Sequence, residues 1–191
     1  MNIALLAKKG GVGKSTLSIL LYEALRMAGK SVLIRDWDAQ GTSSKVMELL
    51  GRTENGNLSL NLPPERILLY DTPPNLEHTA TVAAVHDADI VLVVATPSPA
   101  DIWEAEEAVQ FATSRNPQAV VRVVLNKVRR STILGRLAEE PAEPANYQAL
   151  GVRLSARECY QHAIVQGWKA LNGSAREEVL QLGLAVLSLR P

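Results

Sequence analysis

Lys8-Lys9-Gly10-Gly11-Val12-Gly13-Lys14-Ser15-Thr16 is the stretch from which the fold of this chain can be read. It lies between an apolar run, Asn2–Ala7, and a segment, Ser15–Ala28, whose apolar residues recur at helical spacing and stop at Gly29, a favourable residue just past a helix end. A strand, a glycine-rich turn and a helix in that order make a cradle for phosphate. The glycines let the backbone close around phosphate oxygens, and the helix start presents free N–H groups and its positive dipole end. Gly10, Gly11, Val12, Gly13, Lys14, Ser15 and Thr16 are therefore candidate nucleotide-binding residues. Lys14 would contact the β- and γ-phosphates and the Ser15 hydroxyl would ligate Mg²⁺, so ATP and Mg²⁺ are the implied cofactors. The strict pattern G-x-x-x-x-G-K-[ST] fails at its first position, where Lys8 stands in place of glycine.

Outward from this turn, short apolar, β-branched runs recur at Ser31–Arg35, Arg66–Tyr70, Ile90–Ala95 and Val120–Leu125, each long enough for a strand buried on both faces. Helical stretches separate most of them: Ser43–Leu50, Leu76–His86, Asp101–Ser114, Thr132–Glu139, Glu158–Gln166 and Ala175–Leu189. This alternation predicts an α/β fold, a mostly parallel sheet flanked by helices on both faces. Residues 51 to 65 read as a loop, as does the stretch holding Pro141 and Pro144. With 191 residues and no repeat or domain boundary, residues 1–191 are expected to form a single domain.

Two acidic stretches follow strands, at the sheet edge where open α/β folds bind ligands. In Arg35-Asp36-Trp37-Asp38-Ala39-Gln40-Gly41, Asp36 and Asp38 project to one side if extended geometry continues. Asp71, in Asp71-Thr72-Pro73-Pro74, closes the strand that begins near Arg66.

Taken together, these residues resemble the deviant Walker A ATPases of the ParA/MinD family, most closely its short partition ATPases. Lys9 aligns with the signature lysine of K-G-G-x-x-K-[ST], which in that family reaches across a dimer interface to the partner's nucleotide. The second stretch resembles the Walker A′ form D-x-D-P-Q-G, with Ala39 in place of proline, and the third the Walker B form D-T-P-P. The resemblance implies catalytic roles for Lys9, Lys14 and Asp38. Asp38 would position or activate the attacking water, while Asp36, Asp71 and Ser15 would serve the metal. Ala95-Thr96-Pro97-Ser98-Pro99-Ala100-Asp101-Ile102-Trp103 matches the segment after the next strand, without an assigned role. Asn126 stands where relatives contact the nucleotide base. The match covers nearly the whole chain and weakens after residue 127. Between the A′ and B motifs this chain is shorter than most relatives, so a peripheral element is expected to be missing.

The net charge is zero, yet residues 1–114 carry 9 Lys/Arg against 14 Asp/Glu, a net −5, and residues 115–191 carry 11 against 6, a net +5. With the resemblance, this asymmetry makes Arg129, Arg130, Arg136, Arg153 and Arg157 candidate contacts to DNA phosphates. One cysteine, Cys159, excludes an internal disulfide framework and a Cys-based zinc or iron–sulfur site. No apolar run approaches a membrane span and no signal peptide opens the chain, so a cytoplasmic protein is expected, nucleoid-associated if the resemblance holds. His78, His86 and His162 lack metal-ligand spacing, Trp37, Trp103 and Trp168 read as packing residues, and the apolar C-terminal helix reads as packed on the core because an interfacial helix needs a strongly polar face.

The function this implies is an ATP-dependent homodimer that binds non-specific DNA and segregates or positions a plasmid, chromosome region or other cargo, with hydrolysis stimulated by a ParB-like or other adaptor. Alternatives are a positioning ATPase for a protein cargo, a MinD-like membrane cycler, and a metabolic P-loop phosphotransferase or ligase. Lys9, and the little chain left for an acceptor pocket, weigh against the last.

Overall fold

A computed structural model describes residues 1–51, 66–137 and 147–189. Five strands form a wholly parallel sheet: β1 (Asn2–Leu6), β2 (Val32–Asp36), β3 (Ile67–Asp71), β4 (Ile90–Ala95) and β5 (Val120–Leu125), in the order β2-β3-β1-β4-β5. The strands read as continuous apolar runs because both faces are covered. On β1, Ile3 and Leu5 face one core while Ala4 and Leu6 face the other.

The first core is closed by α1 (Lys14–Met27), α2 (Thr42–Leu49), α6 (Glu158–Gln166) and α7 (Gly173–Ser188), and the second by α3 (Thr79–Asp87) and α4 (Pro99–Arg115). A short α5 (Ile133–Leu137) follows β5. The C-terminal helix is packed as its sequence predicts: Val179, Leu182 and Val186 are fully buried. Among the described residues no helix is long and apolar enough to cross a membrane.

The chain leaves β1 for one face through α1 and leaves β3 for the other through α3, although β1 and β3 are neighbours. This divergence opens a crevice at their carboxyl ends, the place where such sheets bind ligands. Leu69, at 0 % exposure in the middle of β3, supports its floor. Leu69→Ala is expected to destabilise the chain by about 2–5 kcal/mol, read as a lowered denaturation midpoint.

Some boundaries differ from the sequence reading. α3 begins at Thr79 rather than Leu76, because Asn75 accepts the Glu77 N–H in a tight turn and His78 caps the helix by accepting the Ala80 N–H. α4 begins two residues earlier than expected, with Ser98 as cap and Pro99 in the first turn. A 3-10 turn, Gly167–Ala170, was not foreseen. Trp103 is 67 % exposed on α4 and packs into no core, whereas Trp37 stacks on Tyr70 with ring centroids 4.7 Å apart. The expected loop at 51–65, apart from Gly51, and the Pro141/Pro144 loop lie outside the described residues, as does the end of the helix expected over Thr132–Glu139.

Candidate functional site

The glycine turn starts where β1 ends and closes on Gly13, whose φ of 94° is left-handed and open to glycine without strain. Helix α1 follows at once. It has no side-chain cap and no acid in its first turn, so its free N–H groups are left for an anion. A Cβ added at Gly13 would sit 2.4 Å from Asn126 Nδ2. Gly13→Ala is therefore expected to distort the loop and cut nucleotide affinity by at least about tenfold in an equilibrium titration.

Lys14 lies within the cradle at 6 % exposure. Burial pushes its ammonium below the ordinary lysine value, opposed in part by the carboxylates of Asp71 and Asp38. Asp71 is fully buried at the end of β3. Burial raises its carboxyl, opposed by the hydroxyls of Ser43 and Ser15 and by Lys14, while nearby Asp36 adds to the rise. The Ser43 hydroxyl donates to Asp71 Oδ2 at 2.6 Å, and the Thr72 hydroxyl ties the same strand end to Leu5 O at 2.7 Å.

Asp71 Oδ1 is buried without a hydrogen-bond partner. An orphaned carboxylate oxygen beside Ser15, with phosphate expected alongside, fits Mg²⁺, which takes one or two protein oxygens and completes its shell with phosphate and water. Among the described residues there is no cluster of three or more Asp, Glu, His or Cys side chains placed to hold a metal ion. Bound beside Asp71 and Ser15, Mg²⁺ would offset charge on the phosphates.

The A′ stretch reaches the site by a turn rather than by strand alternation. β2 ends at Asp36, whose Oδ1 accepts the Asp38 N–H at 3.1 Å and whose Oδ2 accepts the Ser44 N–H at 2.9 Å. Both Asp36 oxygens thus brace the loop, in keeping with a supporting part. Asp38 Oδ1 accepts the Gln40 N–H at 3.0 Å.

Asn126, expected to contact the base, is buried directly after β5. Its amide donates to Val12 O at 2.9 Å and accepts the Lys127 N–H at 2.9 Å, so the side chain braces the phosphate loop. Lys127, left-handed at φ 56°, adds a second brace from Nζ to Gly11 O at 2.6 Å. Ser43 is a residue sequence reasoning missed, and the Asn126-Lys127 pair is read from sequence only for its asparagine. Ser43 belongs to no motif element, and nothing short of the fold marks its bond to Asp71.

Lys9 turns away from the acids on β2 and β3. Its ammonium pairs with Asp101 and lies 3.4 Å from Glu104 on α4, and Lys8 pairs with Glu107. The Asp101 pairing raises Lys9. Burial works to raise Asp101, but Lys9 and the Thr96 hydroxyl hold it below the usual carboxylate range. The Thr96–Asp101 segment, which had no assigned role, therefore anchors Lys9 through Asp101, while Glu107 further along α4 holds Lys8.

The expected arginine set divides. Arg129, Arg130 and Arg136 are exposed and Arg153 is half-buried. Arg157 is not a free surface cation: it pairs with Glu178 and donates to Ser174 Oγ at 3.2 Å. Charge asymmetry along the chain could not reveal a partner on another helix.

Residues 3–167 match the model of the CobQ/CobB/MinD/ParA nucleotide binding domain. The chain belongs to this family. Within it, the maintenance of carboxysome distribution protein A of Halothiobacillus neapolitanus is 25 % identical, the match covering 92 % of this chain and 88 % of the relative. Among solved structures, the MinD cell division protein of Aquifex aeolicus superposes with a TM-score of 0.75 at 18 % identity, covering 99 % and 97 % of the two chains. A putative plasmid partition protein of Borrelia burgdorferi, bound to AMPPNP, gives the same TM-score at 17 % identity, covering 97 % of each. The fold is thus shared with proteins named for cell division and for plasmid partition.

Proposed function

We propose that this chain is an ATPase that dimerises on ATP and so positions a cargo, with a large protein assembly favoured over a plasmid. The observation that carries the switch is the location of Lys9. Lys14 and Asp71 are buried in their own crevice, while Lys9 is held on the α4 side by Asp101 and Glu104. A second lysine kept outside its own crevice is suited to the nucleotide of a second copy. The carboxysome-distribution relative, aligned over nearly its whole length, supports a protein cargo.

In this reading ATP and Mg²⁺ occupy the crevice, Lys14 offsets phosphate charge, and Asp38 orients the attacking water. An adaptor protein stimulates hydrolysis and returns the chain to monomers. Non-specific DNA serves as the track, held by the exposed Arg129, Arg130 and Arg136. Retention on DNA is then expected to require ATP and to fall by orders of magnitude as salt rises from about 50 to 200 mM, checked by filter binding across a salt series.

The experiment that tests the switch is mass measurement by light scattering with ADP, with a slowly hydrolysed ATP analogue, and with that analogue plus non-specific DNA. A dimer is expected with the analogue alone. A monomer under every condition refutes the reading.

A further inference from the structure

Beyond the phosphate cradle the crevice continues into a cavity of about 540 Å³. Gly13, Thr16 and Asn126 line one side of it, and Ser155, Arg157 and Tyr160 belong to the opposite wall. The size suits an organic group rather than a phosphate. Its position past the first turn of α1 is where the nucleoside of an ATP held by Lys14 must go.

The wall opposite the phosphate loop is made from chain with no strand of its own. Residues 148–156 run beside β5 as a partial edge, with Leu154 N–H bonded to Leu125 O at 2.9 Å and Ala156 N–H to Val128 O at 2.9 Å. That fixes one side. The other side is fixed by a single carboxylate, Glu178 on α7.

Glu178 Oε2 accepts the Ser155 N–H at 3.0 Å and the Tyr160 hydroxyl at 2.7 Å, and Oε1 accepts the Ser155 hydroxyl at 2.8 Å and the Arg157 guanidinium. Four donors fill the acceptor capacity of a carboxylate. All come from Ser155, Arg157 and Tyr160, three residues of one cavity wall. Burial would raise the Glu178 carboxyl, but Arg157, Ser155 and Tyr160 outweigh it and hold it at about 2, so the network is charged wherever nucleotide would bind.

We infer that Glu178 is a positioning residue for nucleoside binding, setting the cavity wall through Ser155, Arg157 and Tyr160 without touching the ligand itself. Its effect is confined to the nucleoside half of the site, because the glycine turn is braced separately, at Val12 O by Asn126 and at Gly11 O by Lys127. This inference rests on the nucleotide reading proposed above.

The test is calorimetric titration of the wild-type chain, Glu178→Ala and Glu178→Gln with ATP, ADP and inorganic tripolyphosphate, each with Mg²⁺. Glu178→Ala is expected to weaken ATP and ADP by the same factor, about tenfold for the loss of two or more charge-assisted hydrogen bonds. Tripolyphosphate binding is expected to change less than about twofold, within ordinary surface-substitution effects. Glu178→Gln keeps the shape and one acceptor oxygen, so it should show a smaller loss with the same split, and it carries the test if the alanine variant fails to fold. An unchanged ATP affinity, or an equal loss for ATP and tripolyphosphate, overturns the inference. A wild-type chain that binds none of the three overturns the nucleotide reading instead.

Discussion

Asp38→Ala should lower ATP turnover by at least about 10²-fold while the affinity for ATP stays within about threefold of wild type. Asp38 lies within electrostatic reach of Lys14, and in the proposed reading one of its oxygens orients the attacking water. Its removal should leave the loop in place. Asp36 keeps its bonds to the backbone of residues 38 and 44, and the Asp38 carbonyl still accepts the Gly41 N–H at 2.9 Å. Binding and chemistry should therefore separate: phosphate release slows, the affinity for a labelled nucleotide holds, and the ATP-bound dimer accumulates. Turnover equal to wild type would remove Asp38 from the mechanism.

Lys9→Ala should abolish the ATP-dependent dimer and, with it, adaptor-stimulated hydrolysis, while each monomer still binds ATP. Stability should fall only modestly: Asp101 is buried, but Lys9 is 42 % exposed and the Thr96 hydroxyl still donates to the carboxylate once the lysine is gone. The loss should be large in the assembled state, where a lysine lying against a partner's phosphates would form charge-assisted bonds shielded from solvent. Arginine at this position should not restore the dimer, since a planar, forked guanidinium does not replace a compact ammonium. Light scattering with a slowly hydrolysed analogue reads the outcome directly. A Lys9→Ala dimer of wild-type strength would sink the crossed-lysine reading and leave the nucleotide site untouched.

Both predictions concern residues whose importance was visible in the sequence, and that visibility has a physical basis. Strands buried on both faces must be continuous apolar runs, and a phosphate loop must place its glycines and Lys14 within one turn of backbone. Such requirements act between near neighbours and leave a pattern at fixed spacing. The acids at the ends of β2 and β3 were legible for the same reason, since a parallel sheet delivers strand ends to one edge. The alternation expected of Asp36 and Asp38 failed because an aspartate at a strand end can accept its own downstream N–H and turn the chain.

The sequence by itself therefore determined the parallel α/β sheet, the phosphate cradle and the acids that face it. Tertiary structure alone decided that Asn126 and Lys127 brace the loop across 114 and 116 residues, that Ser43 holds Asp71 across 28, and that Arg157 belongs to Glu178 rather than to the free surface. It also turned Lys9 onto α4, away from the crevice beside which it is encoded. These are contacts between side chains whose elements meet only after the sheet has assembled. Where a side chain's partner comes from another part of the fold, no local spacing records the pairing.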